Sequence, residues 1–150
     1  MKIAFVFPGQ GSQSVGMLDS FAGNPAVDEV LRTASAALGQ DLAALIKDGP
    51  ADSLSLTVNT QPVMLTAGYA VYRAWRAAGG AEPSVVAGHS LGEYTALTAA
   101  GALALAEAVK LVRIRAQAMQ EAVPVGQGGM ASILDLSDDQ VRQACTEAAA

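Results

Sequence analysis

Short apolar runs followed by turn residues predict the strands of this chain. Residues 2–7 form a continuous run rich in β-forming side chains, which is typical of a strand buried on both faces of a parallel sheet. A second run at residues 85–87 leads directly into a glycine-containing turn. Residues 130–134 predict a third strand. The predicted strands are therefore few and widely spaced along the chain.

Apolar positions at helical spacing fill the intervals between these strands. Asn24-Pro25 and Gly39 mark the start and the end of one helix, and Thr60-Gln61-Pro62 predicts the start of a long helix that ends near residue 78. A capping box at residues 137–140 begins the last helix, in which Cys145 is expected to be core filler. Further helices are predicted at residues 41–47, 91–100 and 104–122. The mixture predicts an α/β fold.

Composition narrows the possible classes of protein. With 150 residues, 51% hydrophobic and 15% charged, the chain is long enough for one globular domain. The net charge of -5 argues against a nucleic-acid-binding surface. A single cysteine fits a reducing, cytoplasmic compartment, and we find no export signal. The longest apolar stretch, residues 63–78, carries two arginines, so we expect a buried helix and not a membrane span.

The sequence Gly88-His89-Ser90-Leu91-Gly92 joins the second predicted strand to a helix. Such a Gly-X-Ser-X-Gly turn needs glycine where the reversing backbone is crowded, and it pushes the serine hydroxyl out of the sheet. At a helix N-terminus, backbone N–H groups favour the negative charge that develops when a carbonyl is attacked. Ser90 is therefore the candidate nucleophile. The alternative is an ordinary N-cap serine in a glycine-rich connection.

Polar residues after the first strand are candidates for a wall of the same site. Pro8-Gly9-Gln10-Gly11-Ser12-Gln13 follows a buried strand, at the sheet edge where ligands of open α/β folds bind. The loop lacks the lysine and the glycine spacing of phosphate loops, which argues against nucleotide binding. We expect its backbone N–H groups to point toward Ser90. A plain turn into the next helix is the alternative.

Two arginines and a glutamine are further candidates whose orientation the pattern leaves open. Arg113 and Arg115 lie on opposite flanks of the apolar stripe of the helix at residues 104–122. Either side chain can extend to solvent, or turn inward and bind a carboxylate in a bidentate pair. Gln61 lies in the first turn of the predicted long helix, where it either points its amide into the site or serves as a surface cap.

The candidate chemistry lacks a general base. A serine nucleophile needs one, and the single histidine, His89, directly precedes Ser90. Because neighbouring residues of a strand point to opposite faces, His89 is poorly placed to accept the Ser90 proton, and we expect local hydrogen bonds to hold it in a structural role. Three strands are also too few to give the helices a sheet to cover, and the chain ends without a C-cap. These features predict a truncated chain whose base lies elsewhere.

Four motifs occur together in the order and spacing of a known family. They are FVFPGQGSQ at residues 5–13, NTQP at 59–62, GHSLGEY at 88–94, and Arg115 with Met119-Gln120. In this combination they resemble the malonyl-CoA:acyl carrier protein transacylase family. The resemblance implies an α/β-hydrolase-like core with a parallel sheet and an inserted ferredoxin-like small subdomain. Residues 1–125 would be the N-terminal part of the large subdomain, and residues 126–150 the incomplete start of the small one.

The same resemblance implies a role for each matching residue. Ser90 would attack the malonyl thioester of coenzyme A and carry the malonyl group as an ester in fatty-acid synthesis. Backbone N–H groups of Gln10 and Leu91 would bind the oxyanion. Arg115 would bind the free malonyl carboxylate, and Gln61 would line the pocket. The implied partners are malonyl-CoA and acyl carrier protein, bound by a monomer without metal or cofactor. The family's catalytic histidine lies in the downstream half, and no residue here matches it.

Three alternatives stay open at the level of the sequence. An acyltransferase domain of a polyketide synthase shares these motifs, although Met1 directly before the first strand favours a free-standing enzyme. A serine esterase or thioesterase shares the serine turn, but the Gly-Gln-Gly-Ser-Gln loop and Arg115 argue against it. A non-catalytic module that only binds acyl carrier protein is favoured by the absent histidine.

Overall fold

The computed structural model describes residues 2–122 and 133–149 of the chain. These residues form two strands and seven α-helices, with four of the helices between the strands, which confirms the mixed α/β class. The elements are β1 Ala4–Phe7, a 3-10 helix Asp19–Phe21, α1 Pro25–Leu38, α2 Leu42–Asp48, α3 Ala51–Ser55, α4 Thr57–Ala77, β2 Val85–Gly88, α5 Leu91–Ala99, α6 Leu105–Ala122 and α7 Asp138–Ala148. The boundaries of α1, α2, α5 and α6 lie within one residue of those predicted, whereas α3 was not predicted.

β1 and β2 form a two-stranded parallel sheet within the described residues. Ala4 pairs with Val85, and Phe7 pairs with Gly88. The helices from α1 to α4 make the long connection that a parallel pair of strands requires. Because both strands end at the same edge, the loop after Phe7 and the turn after Gly88 lie side by side.

Helices cover one face of this sheet and leave the other face exposed. Phe5 and Phe7 point toward α4 and pack around Tyr72. On the opposite face, Val6 is 74% exposed and Val85 is 59% exposed. The expectation that the first strand is buried on both faces is therefore wrong for the described residues, because none of their elements packs on the second face.

The main hydrophobic core lies between α1, α4 and α6, which pack closely against one another. Its buried side chains recur at helical spacing on each helix, as the apolar stripes predict. They include Val27, Val30, Val63, Leu65, Val109 and Val112. This core holds the N-terminal part of α4 against α6, and both helices contribute to the site described below.

α4 begins earlier than the sequence predicts. The structure starts this helix at Thr57, so Pro62 lies inside it and Gln61 lies in its second turn. Thr60 does not cap the helix, because it lies inside it: its amide donates to the carbonyl of Leu56 at 2.8 Å, and its hydroxyl donates to the carbonyl of Leu54 at 2.7 Å. Gln61 is consequently fully buried, and the interpretation of this residue as a surface cap is wrong.

α7 has the predicted capping box at its start. Ser137 Oγ accepts the amide of Gln140, whose side chain accepts the Ser137 amide in return. Cys145 is exposed and is not core filler, because none of the described side chains of α7 enters the core. Of the predicted third strand, residues 133 and 134 are not in a strand. Residues 130–132 and the predicted domain junction at residue 126 lie outside the described residues.

Candidate active site around Ser90

Ser90 lies at the turn between β2 and α5 in a strained backbone conformation. Its φ of 54° and ψ of -111° are sparsely populated by residues other than glycine, and such strain is typical of functional sites. Leu91 begins α5, so the Ser90 hydroxyl is carried at a helix N-terminus. The predicted strand, sharp turn and helix are confirmed.

Two glycines make this sharp turn possible. A Cβ at position 88 would lie 1.9 Å from the carbonyl carbon of Gly92, and a Cβ at position 92 would lie 2.1 Å from the Phe7 oxygen. Both contacts are with backbone atoms, which cannot rotate away as a flexible side chain can. Glycine at Gly88 and Gly92 therefore lets α5 start directly against the ends of both strands.

Arg115 on α6 contacts the Ser90 hydroxyl. Its Nη2 donates to Ser90 Oγ at 3.0 Å, and its Nη1 donates to Gln61 Oε1 at 2.7 Å. The guanidinium carbon lies 5.8 Å from the centre of the Tyr94 ring. Within residues 2–122 and 133–149, no carboxylate forms an ion pair with Arg115. The positive charge beside Ser90 is therefore held by neutral groups of the described chain.

Gln61 connects Arg115 to the loop that follows β1. Its Nε2 donates to Gln10 Oε1 at 3.4 Å, while its Oε1 accepts from Arg115. Gln10 Nε2 donates in turn to Thr57 Oγ1 at 3.2 Å. One hydrogen-bonded series therefore runs from the loop through Gln61 and Arg115 to Ser90.

The loop at residues 8–13 packs against the serine turn. A Cβ at Gly9 would lie 3.1 Å from the carbonyl oxygen of His89 and 3.9 Å from Ser90 Cβ. The backbone N–H groups of Gln10 and Leu91 donate to no acceptor in the described part of the chain. The loop thus forms a wall beside Ser90, and these two amides keep their capacity to donate.

His89 is exposed and contributes hydrogen bonds through its main chain. Its amide donates to the Phe7 oxygen at 3.3 Å, and its carbonyl accepts the Gly92 amide at 2.8 Å. Among the side chains that the structure describes, Arg115 is the one that hydrogen-bonds Ser90 Oγ, and a guanidinium cannot accept a proton. No described side chain therefore serves as the general base for Ser90.

Arg113, two residues before Arg115 on α6, reaches a different part of the molecule. Its Nη2 donates to Gln40 Oε1, at the junction between α1 and α2. Its Nε is buried and has no partner among the described residues. Burial lowers the pKa of the Arg113 guanidinium. The structure thus separates the two arginines that helical periodicity left equivalent.

Sequence reasoning assigned no site role to Thr57, Tyr94 or Met119. Met119 is 38% exposed, and its Sδ accepts from Gln61 Nε2 at 3.2 Å. Tyr94 follows Ser90 by four residues, a spacing that places two residues of a helix on one side and was the available signal. Thr57 could not be recognised from the sequence, because the predicted long helix starts at Thr60 and leaves Thr57 outside it.

Metal sites and membrane spans are two other kinds of functional feature. Residues 2–122 and 133–149 bring together no group of three His, Cys, Asp or Glu side chains that could hold a metal ion. None of the helices in these ranges is both long enough and apolar enough to cross a membrane.

Comparison with known proteins identifies relatives of the whole chain. The family model of the acyl transferase domain matches residues 4–149. The malonyl CoA-acyl carrier protein transacylase of Escherichia coli (strain K12) is 56% identical over 149 residues, which cover 99% of this chain and 48% of the relative. The chain spans about half the length of the curated relatives it matches.

Solved structures agree with this assignment. The crystal structure of an acyl-carrier-protein S-malonyltransferase from Burkholderia pseudomallei 1710b is 71% identical with a TM-score of 0.91, covering 99% of this chain and 48% of that one. A malonyl-transacylase in complex with a type II PKS acyl-carrier protein is 47% identical with a TM-score of 0.91, at the same coverage. The resemblance carried by the four sequence motifs is confirmed, and the chain belongs to the acyl transferase domain family.

Proposed function

We propose that this chain carries the nucleophile and the carboxylate-binding arginine of a malonyl-CoA:acyl carrier protein transacylase of fatty-acid biosynthesis. The observation that carries the proposal is the 3.0 Å contact between Ser90 and Arg115, an arginine without an ion pair in the described residues. A strained serine accounts for acyl transfer, and a cation beside it accounts for a donor with a free carboxylate. The names of the relatives fit this chemistry.

In the first half-reaction, Ser90 Oγ attacks the thioester carbonyl carbon of malonyl-CoA. The carbonyl oxygen becomes negatively charged, and the backbone N–H groups of Leu91 and Gln10 stabilise that charge. The C–S bond then breaks, coenzyme A leaves as its thiol with the proton that came from Ser90, and a malonyl ester remains on the serine. In the second half-reaction, the phosphopantetheine thiol of acyl carrier protein attacks the carbonyl carbon of this ester, the C–O bond to Ser90 breaks, the thiol proton returns to Ser90 Oγ, and the malonyl group leaves as a thioester of the carrier.

Arg115 selects the malonyl group in this proposal. A guanidinium has five N–H donors, and Gln61 and Ser90 take one each. The remaining donors suit the planar carboxylate of a malonyl group. An acetyl group has no carboxylate, so it gains nothing from the cation and is bound less well.

A general base must accept the Ser90 proton, and we assign it to residues outside this chain. His89 directs only main-chain hydrogen bonds toward the turn in the described structure, and Arg115 cannot accept a proton. A base supplied from elsewhere also explains how the nucleophile, the oxyanion donors and the carboxylate site occur together in a chain with one histidine.

We further propose that this site belongs to an α/β-hydrolase-like core in which the parallel sheet extends beyond β1 and β2. Two features support this proposal: the parallel sheet of the described residues has two strands, and one of its faces is exposed, whereas parallel sheets of α/β proteins have more strands and are covered on both faces. A ferredoxin-like small subdomain would begin near residue 126. The acyl transfer needs no metal or further cofactor, because the thioester is already an activated acyl donor. We expect a cytoplasmic monomer, in keeping with the single cysteine.

Intact-mass spectrometry after brief exposure to malonyl-CoA tests the proposed function. We expect one malonyl adduct on Ser90, none on Ser90→Ala, and far less adduct with acetyl-CoA. Circular dichroism confirms that both chains are folded. A folded chain without an adduct would show that the external base is needed in the first step or that the chain only binds acyl carrier protein. Added imidazole separates these outcomes, because it can replace a missing base and restore the adduct but cannot make a non-catalytic chain react.

The complex of a related transacylase with a polyketide carrier favours a second candidate, transfer to a polyketide carrier protein. Release of the Ser90 adduct distinguishes the candidates. Faster release to a fatty-acid carrier supports the main proposal, and faster release to a polyketide carrier supports the second. Release to water at a rate that no carrier changes would indicate a thioesterase.

A further inference from the structure

Tyr94 places its ring against the guanidinium of Arg115. The guanidinium carbon lies 5.8 Å from the ring centre, within the range of a cation–π interaction. Tyr94 belongs to the first turns of α5, which begins at Leu91 directly after Ser90. One short helix therefore carries both the candidate nucleophile and the ring that contacts the arginine.

The ring is held in place from behind. Tyr94 is half-buried and packs against the main hydrophobic core between α1, α4 and α6. Thr98, one turn later on α5, is buried and donates its hydroxyl to the Tyr94 carbonyl at 2.8 Å. Packing against the core thus restricts the ring, and the Thr98 bond holds the backbone that carries it, whereas the long arginine side chain opposite has many rotamers to lose.

A ring suits this position because it attracts a cation without neutralising it. Gln61 Oε1 and Ser90 Oγ are also uncharged, so each described contact orients Arg115 and leaves its net charge intact. A carboxylate at position 94 would hold the guanidinium more tightly, but it would compete with any carboxylate of a ligand.

We propose that Tyr94 is a positioning residue that holds the Arg115 guanidinium for the carboxylate of the acyl donor, and thereby increases the preference for malonyl over acetyl donors. This inference rests on the proposed function, since it assumes that Arg115 binds that carboxylate. The contribution comes from restricting Arg115, and Tyr94 itself touches neither the donor carbonyl nor Ser90 Oγ.

Acylation rates of Ser90 with malonyl-CoA and acetyl-CoA test the inference in Tyr94→Leu and Tyr94→Phe. We expect Tyr94→Leu to lower the malonyl-to-acetyl ratio roughly fivefold, as expected for losing a cation–π contact, and Tyr94→Phe to preserve the ratio because it keeps the ring. Equal loss of both rates in Tyr94→Leu would show a purely structural role. An equal fall of the malonyl-to-acetyl ratio in Tyr94→Phe would show that the hydroxyl, and not the ring, matters. Either result overturns the inference.

An NMR measurement keeps the inference testable if acylation is slow. The arginine side-chain Nε–Hε signal of Arg115, assigned with Arg115→Lys, should shift when the aromatic ring is removed in Tyr94→Leu and stay in place in Tyr94→Phe. Malonate is the probe for the carboxylate site. It should bind more weakly to Tyr94→Leu than to the parent chain, and Tyr94→Phe should bind it as the parent does. Unchanged malonate binding in Tyr94→Leu overturns the inference even where the Arg115 signal shifts, because loss of the ring current moves that signal by itself.

Failure of the proposed function has a different signature. If Arg115→Ala leaves the malonyl-to-acetyl ratio and malonate binding unchanged, Arg115 does not bind the carboxylate and the proposed function fails. If Arg115→Ala lowers both and Tyr94→Leu lowers neither, only the role of Tyr94 is wrong.

Discussion

The two flanks of α6 carry one arginine each, and the two arginines meet very different surroundings. Arg115 reaches Ser90 and the buried amide of Gln61 beside the ends of both strands. Arg113 reaches Gln40 at the junction of α1 and α2, with a buried Nε that lacks a partner in the described residues. Both are half-buried, and both donate to the carbonyl oxygen of a glutamine.

The comparison shows that neighbouring elements, and not the arginine itself, define the functional flank. On the flank of Arg113, the junction between α1 and α2 packs against α6. Burial at this junction lowers the pKa of the Arg113 guanidinium. On the Ser90 side, α5 begins at Leu91 next to the sheet and brings a hydroxyl and a ring to Arg115. The same residue type is therefore a packing element on one flank and a candidate ligand-binding group on the other.

The largest expected effect comes from destroying the turn that supports the Ser90 flank. In Gly88→Ala, the new Cβ would lie 1.9 Å from the Gly92 carbonyl carbon, so the backbone must move. We expect the free energy of unfolding to fall by about 3 kcal/mol or more and the acylation of Ser90 to be lost. Urea unfolding measures the first effect and intact mass the second.

Gly101→Ala is the matched control for this change. Position 101 has a φ of 76° but open space around a Cβ, so it costs only the left-handed backbone penalty of about 1–2 kcal/mol. Equal losses of stability in the two variants would contradict the steric explanation for Gly88.

Removing each arginine in turn tests the contrast directly. We expect Arg115→Ala to lower the malonyl-to-acetyl ratio about tenfold to a hundredfold, because a charged hydrogen-bonding partner of the carboxylate is lost. Arg113→Ala should leave that ratio unchanged. Acylation rates with both donors provide the measurement, and a similar fall of the ratio in the two variants would refute the distinction between the flanks.

Placing a carboxylate against each arginine provides a milder test. Gln61→Glu puts a negative charge where Arg115 Nη1 now donates at 2.7 Å, so the protein itself should occupy part of the guanidinium. We expect malonyl acylation to slow by about tenfold with little change for acetyl-CoA. Gln40→Glu makes the equivalent pair with Arg113 and should change neither rate. Unchanged malonyl acylation in Gln61→Glu would argue that Arg115 does not bind the donor.

The smallest effect is expected for Arg113→Met. This change loses one hydrogen bond to Gln40, but it also removes a buried Nε without a partner in the described residues. These contributions oppose each other, so the free energy of unfolding should change by about 1 kcal/mol or less. Thermal or urea unfolding checks this value. A loss above about 3 kcal/mol would show that Arg113 is essential to the packing of α1 against α6.

Most helix positions could be predicted because their signals are local. Asn24 accepts the amide of Ala26 at 3.0 Å, and Gly39 ends α1 with a φ of 62°. The start of α4 could not be predicted in the same way, since Leu56 precedes the helix without a side-chain cap, and Thr60, the apparent cap, lies inside the helix and donates its hydroxyl to Leu54 of α3. A helix that begins without a capping side chain gives no local signal in the sequence.

The candidate site was partly predictable for the same reason. Ser90 could be located because the Gly-X-Ser-X-Gly pattern and the crowding at Gly88 are local, although the crowding at Gly92 comes from the Phe7 oxygen on the neighbouring strand. Helical periodicity could not choose between Arg113 and Arg115, and the family resemblance, not the pattern, singled out Arg115. The ring of Tyr94 became visible only in the structure, because its contact joins α5 to α6.

By itself, the amino-acid sequence determined the α/β class, most helix boundaries and the sharp turn that presents Ser90, since these depend on residues close together in the chain. Only the tertiary structure decided that Gln61 is buried, that one face of the sheet is exposed in the described residues, and that Arg115 has neutral neighbours. These properties depend on atoms far apart in the chain. Arg115 and Gln61, separated by 54 positions, meet only once α4 and α6 have packed.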